Sequence, residues 1–147
     1  MPEQETLEKA REDAAEGKSP STQAGEFVHE EIEHVKEGKH GARSTKQAIA
    51  IGLSKARRAG VPLPPPKDGK ASTRRKAAQD TRKGRRGSRA KPSAARSRAT
   101  SRALRREGHT AASHGALSRH AKTAARKRSA TSRSRSAKRA AATRWRS

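Results

Sequence analysis

Residues 19–60 read SPSTQAGEFVHEEIEHVKEGKHGARSTKQAIAIGLSKARRAG, and this stretch decides the fold because half of the chain's bulky apolar side chains lie in it. Ala24, Phe27, Val28, Ile32 and Val35 recur at steps of three and four until Gly38, the period of one helix face. Ser19 or Ser21 can cap this run and Pro20 suits a first helical position, so a helix is predicted from about Ser21 to Glu37. Ser44 and Gln47 have the spacing of a capping box, in which the hydroxyl takes the Gln amide hydrogen and the Gln side chain reaches back. A second helix starts there. Its apolar surface is Ala48, Ile49, Ile51, Gly52, Leu53, Ala56 and Ala59; Lys55, Arg57 and Arg58 suit its negative end, and Gly60 closes it. Residues 19–60 therefore predict a helical hairpin. Seven bulky side chains (Phe27, Val28, Ile32, Val35, Ile49, Ile51 and Leu53) give a core that two helices cannot enclose, which points to a protein partner or to self-association.

Working outward, residues 1–18 predict an acidic N-terminal helix that ends at Gly17 and has little apolar face beyond Leu7 and alanines. On the other side, Val61 to Pro66 holds four prolines, so residues 61–70 are expected to be a stiff Pro-rich linker. Residues 71–147 form a basic, low-complexity tail whose bulky apolar residues are Leu104, Leu117 and Trp145. Burial cannot offset the ordering entropy of such a segment. The expected fold is all-α: a small helical hairpin plus a long, mostly disordered basic tail. Ser93–Glu107, Ser113–Arg128 and Ser136–Arg146 would be transient helices that fold when phosphates pair their charges.

Charge points to the partner. The chain has 37 Lys and Arg against 14 Asp and Glu, a net +23, with eleven acids and five bases in residues 1–40 but three acids and 32 bases after them. Cations strung along a chain displace the counterions condensed on a duplex, which gives affinity without sequence reading. The bases expected to bind nucleic acid are Arg74, Arg75, Lys76, Arg82, Lys83, Arg85, Arg86, Arg105, Arg106, Arg126, Lys127 and Arg128, with Arg57 and Arg58 from the hairpin. Duplex DNA is favoured over RNA as the partner; one Phe, one Trp and no Tyr cannot build a stacking platform, which disfavours sequence-specific RNA binding but not phosphate-driven RNA binding. Lys83–Gly87 is similar to a minor-groove arginine motif but lacks its proline, so a generic basic linker is the plainer reading. Ser132–Ser136 alternates Ser and Arg and could be phosphorylated; a solvated tail is again plainer.

Other chemistries are excluded or disfavoured. No cysteine means no disulfide, thiolate zinc site, iron–sulfur cluster or cysteine nucleophile. His29 and His34 bracket a zinc-protease-like run but are five apart, about 140° around a helix, and are not expected to share a metal. His109, His114 and His120 lie in positive surroundings that repel a cation. Gly17, Lys18 and Ser19 end like a phosphate-binding loop, but Glu12 stands where its first glycine would be. No catalytic residue, cofactor or metal ligand is assigned, and the protein is not expected to be an enzyme. The longest apolar run, Ala48 to Leu53, is far short of the roughly 20 residues that cross a bilayer, so no membrane partner is expected.

The residues from Ser19 to Val28 and from Glu31 to Gly60 resemble a family of short basic bacterial proteins of unknown function, whose members are often labelled plasmid-stabilisation or DNA-binding proteins. Ala111 to Arg128 is similar to their tails more loosely. The resemblance implies a bacterial cytoplasmic setting and supplies no functional residues. Combined with the charge, it leads to an expected sequence-nonspecific, histone-like DNA-binding protein of the nucleoid or a plasmid. The alternatives are a protein-interaction hairpin tethered to nucleic acid by its tail, and an RNA- or ribosome-associated basic protein.

Overall fold

The computed structural model of the chain describes residues 1–87, 91 and 93–146, and all regular structure among them is helical. The elements are α1 (Gln4–Ala15), α2 (Pro20–Lys36), α3 (Thr45–Arg58), α4 (Ala71–Arg85), α5 (Ala94–Arg106), a 3₁₀ turn (Thr110–Ala112), α6 (His114–Arg126) and α7 (Ala130–Arg146). The chain divides into two compact units, Met1–Ser113 and His114–Ser147.

Local chemistry sets the helix ends. Ser19 caps α2 by accepting from Thr22 N at 3.3 Å, with Pro20 in the first turn. Ser44 Oγ accepts from Gln47 N at 3.2 Å, and Gln47 Oε1 accepts from Arg43 N at 2.6 Å, one residue ahead of the cap. The first three helices stop in the same way. Gly17 N, Gly38 N and Gly60 N donate to Ala14 O, Val35 O and Arg57 O, while the following residue donates to the carbonyl one step further back.

The core of the first unit is built for close approach. Eight of its twelve buried apolar residues are alanines, including Ala24, Ala48, Ala56, Ala111 and Ala112, around Phe27, Ile32, Val35 and Val61. Where α2 crosses α3, a Cβ on Gly52 would stand 2.7 Å from Val28 Cα, so this crossing admits glycine alone. Val61 packs with Ala10, Ala24, Phe27 and Ala56. The proline run after it is held by Arg57, whose guanidinium donates to Leu63 O at 3.4 Å and Pro64 O at 3.2 Å.

Two expectations about the fold are corrected. The hairpin is not a separate two-helix module: α1 packs on α2, α4 packs on α3, and the 3₁₀ turn packs on both α2 and α3. The apolar stripe thus has its cover within the chain, with Phe27 and Val35 fully buried. Nor is there a long disordered tail, since α4, α5, α6 and α7 occupy most of residues 71–147. The reason lies in the residues that the entropy argument discounted. Ala, Arg, Lys and Leu are strong helix formers, and a helix pairs its own backbone without a core. Ser93 caps α5 through Arg96 N at 3.3 Å, and Ser129 takes Ser132 N at 3.1 Å at the start of α7. Small side chains then suffice for packing: Ala77 is buried on α4, and Ala111 and Ala112 are buried in the 3₁₀ turn. Residues 88–90, inside the expected basic tail, and residues 92 and 147 lie outside the described residues.

Within the first unit, residues 104–112 bond to the loop before α3 and to its first turn. Gly41 N donates to Leu104 O and Ala42 N to Gly108 O, both at 2.9 Å, and Thr45 Oγ1 donates to Ala111 O at 2.6 Å. In the second unit, the Arg128 guanidinium donates to Ser132 Oγ at 3.2 Å and also to Ser136, bracing the turn between α6 and α7.

Candidate nucleic-acid interface and a buried carboxylate–imidazole cluster

On α4, Ala77, Asp80 and Gly84 recur at three and four and turn towards α3, while Arg74, Arg75, Lys76, Arg82, Lys83 and Arg85 are exposed, as is Arg86 at the helix end. Arg105 and Arg106 are exposed at the end of α5. In the second unit, Arg126 closes α6, and Lys127 and Arg128 follow it, all three exposed. The two hairpin bases are placed differently. Arg57 is 8% exposed and occupied with the proline run; burial pulls its guanidinium below the usual range, while Asp80 pushes the other way. Arg58 Nε donates to Asp80 Oδ1 at 2.8 Å, with the Arg58 side chain half exposed.

The acids of the first unit are largely used internally. Asp80, 1% exposed, faces Ser54, Arg58 and Lys76. Burial alone would raise its carboxyl, but the Ser54 hydroxyl and Arg58 guanidinium, helped by Lys76, outweigh this and hold it below the ordinary aspartate value. Asp13 pairs with Lys18 at 2.7 Å, and Glu3 pairs with Lys39 at 3.1 Å and His34 at 2.9 Å. Hydrogen bonds from His34 and Lys39 lower the Glu3 carboxyl, so it is a carboxylate.

A cluster that charge counting does not find lies at the C-terminal end of α2. Glu31 is wholly buried and Glu30 nearly so. Glu30 Oε1 accepts from Glu3 N at 3.3 Å, which fastens the start of α1 to α2. Glu31 and His34 stand three residues apart on one helix face. Gly38, at φ 75°, reverses the chain beyond them, and Lys39 N bonds back to His34 O at 3.0 Å. This brings His40 beside His34, with ring centroids 5.9 Å apart and the rings edge to face. Lys55 from α3 contacts Glu31 and lies 3.6 Å from Glu30 Oε1. One ligand atom each from Glu31, His34 and His40 falls within 4.8 Å of the others.

His29 and His34, the two histidines of α2, do not share a face. His29 lies on an exposed face 3.9 Å from Glu33, away from the cluster. The pairing of His34 with His40 crosses a helix end, which helical spacing cannot express. The available signal was the Glu31–His34 step followed by a glycine helix stop.

Residues 17–67, which span α2, α3 and the proline run, match the model of the Family of unknown function (DUF6496). That description assigns no activity, and the DNA-binding and plasmid-stabilisation labels expected from the resemblance are not part of it. No curated protein and no solved structure matches the chain. Among the described residues, no helix is long and apolar enough to cross a membrane.

Proposed function

We propose that the protein binds nucleic acid, duplex DNA foremost, through the exposed basic faces of α4 and α5 in the first unit and of α6 and α7 in the second. The setting is the bacterial nucleoid or a plasmid, and the role is binding and not catalysis. The observation that carries this reading is the fate of the few acids beyond residue 40. Asp80 is buried and taken up by Arg58 and, at 3.6 Å, by Lys76, so the other exposed bases of α4 have no carboxylate on their own helix to neutralise them. The acids of residues 1–40 are partly engaged with Lys18, Lys36, Lys39, Lys55 and His34, which limits how far they can cancel the basic surface.

A helical scaffold holds the bases at helix spacing and lowers the entropy lost on binding relative to a flexible chain. Contacts from such bases to phosphate give affinity without sequence preference. The test uses full-length protein carrying Arg75→Gln, Arg82→Gln and Arg85→Gln together, with Lys9→Gln and Arg11→Gln as the control pair. The α4 variant should bind a random-sequence duplex more weakly than wild type and lose about 0.9 of log–log salt slope for each phosphate contact removed, while the control is unchanged. Equal affinity and slope in all three proteins would refute the assignment to α4. Tighter binding to RNA than to duplex DNA at matched salt would move the reading to the RNA alternative.

A further inference from the structure

We propose that Glu31, His34 and His40 form a binding site for a divalent transition-metal ion of the zinc class. The imidazole protons are placed by their hydrogen-bond partners. His40 Nδ1 is 3.0 Å from Gly41 O, and a carbonyl oxygen only accepts, so Nδ1 carries the proton. His34 Nε2 is 2.9 Å from Glu3 Oε1, which is likewise an acceptor, so Nε2 carries the proton there. In the neutral rings, His34 Nδ1 and His40 Nε2 are then lone-pair nitrogens. They lie 3.7 Å from Glu31 Oε1 and 3.1 Å from Glu31 Oε2 respectively.

Three electron-pair donors thus converge on one place, and the carboxylate among them is fully buried, with the Lys55 ammonium against Oε1 and no hydrogen bond to Oε2. Even with Lys55 against one oxygen, the lone pairs of the two nitrogens face the carboxylate, and a cation among the three relieves that repulsion. The Lys55 ammonium reaches one of the two oxygens. A metal takes the Glu31 oxygens and both nitrogens, and Lys55 then turns to Glu30, which it already approaches and whose Oε2 lacks a hydrogen bond.

The surroundings match what metal-binding histidines require. Each ring donates its far N–H to an oxygen, a carboxylate for His34 and a backbone carbonyl for His40, which fixes both tautomers for ligation. Two imidazoles and one carboxylate suit zinc and its neighbours, whereas calcium and magnesium prefer oxygen sets. The His34 and His40 side chains keep 13% and 16% exposure, so the ion has a route from solvent. Beside His34, a groove between α1 and α2 is lined by Glu3, Glu5, Glu26, Glu30, Glu33 and Glu37 against Lys9 and Lys39, so the local charge is negative although the chain is basic. Bound there, the ion joins α2 to the loop whose Gly41 and Ala42 bond to Leu104 and Gly108, and so stabilises the first unit.

The experiment titrates chelator-stripped full-length protein with zinc chloride by calorimetry, and with cobalt chloride by visible absorption. About one ion per chain should bind, cobalt should give the d–d bands of an imidazole site, and zinc should raise the unfolding midpoint. His40→Gln and His34→Gln should each weaken binding at least about tenfold, while the triple variant His29→Gln, His114→Gln, His120→Gln should bind as wild type. Lys55→Gln removes the competing ammonium, and its zinc-induced rise in midpoint should exceed that of wild type. Absence of stoichiometric binding at neutral pH would overturn the proposal. So would binding that survives His40→Gln and disappears in the triple variant.

Discussion

Arg58 on α3 and Asp80 on α4 meet at 2.8 Å, and the Asp80 carboxylate is 1% exposed. Asp80 is the one acid between Lys70 and Arg106, and it joins a segment of low-complexity appearance to the helical core. Asp80→Ala leaves a space where Ser54 and Arg58 were paired, so it should destabilise the first unit by about 2–4 kcal/mol. Denaturant unfolding followed by circular dichroism checks the size, and limited proteolysis should show early cleavage in α4.

The same carboxylate sets an acid limit. Its folded-state value lies below the ordinary aspartate value, so the folded protein holds its proton less tightly than the unfolded chain does. The stability it contributes is complete above the usual carboxylate range, near about pH 4, and is lost as pH falls through the depressed value. Unfolding midpoints of wild type and Asp80→Asn measured between neutral pH and about pH 2 should converge at the acid end. A constant gap across that range would contradict the pairing.

Gly52 marks the closest crossing of α2 and α3. Gly52→Val forces the helices apart at Val28 and should cost about 1–3 kcal/mol despite the better helix propensity of valine. Gly25, with open space around its Cβ position, supplies the control: Gly25→Ala should be neutral or stabilising by up to about 1 kcal/mol.

Ser44 starts α3 and Thr45 holds the 3₁₀ turn through Ala111 O. Ser44→Ala should cost about 1 kcal/mol as a lost cap. Thr45→Val should cost a similar amount, about 1 kcal/mol, and raise amide exchange at residues 110–113, a local effect absent from Ser44→Ala.

Much of the first unit was legible in the sequence. The Ser19 and Ser44 caps and the stops at Gly17, Gly38 and Gly60 each have local causes, and local causes show in short windows. The enclosure of that unit was not legible, because it rests on alanines. Ala77, Ala111 and Ala112 look like tail residues until a neighbouring helix approaches closely enough for a methyl group to fill the gap. Asp80 is hidden in the same way, since one acid among many bases carries no signal until its partners on α3 are known. The basic residues were visible as charge; that Arg57 would turn inward to Leu63 and Pro64 depended on the path of the proline run. The Glu31–His34–His40 cluster was hidden because a turn assembles it.

The central claim is that the exposed bases bind nucleic acid by displacing counterions, and a salt titration of full-length protein against a random-sequence DNA duplex tests it most directly. If about ten phosphates are neutralised, the log of the binding constant falls against the log of salt with a slope near −9. A slope near zero, or no binding in dilute buffer, would contradict it.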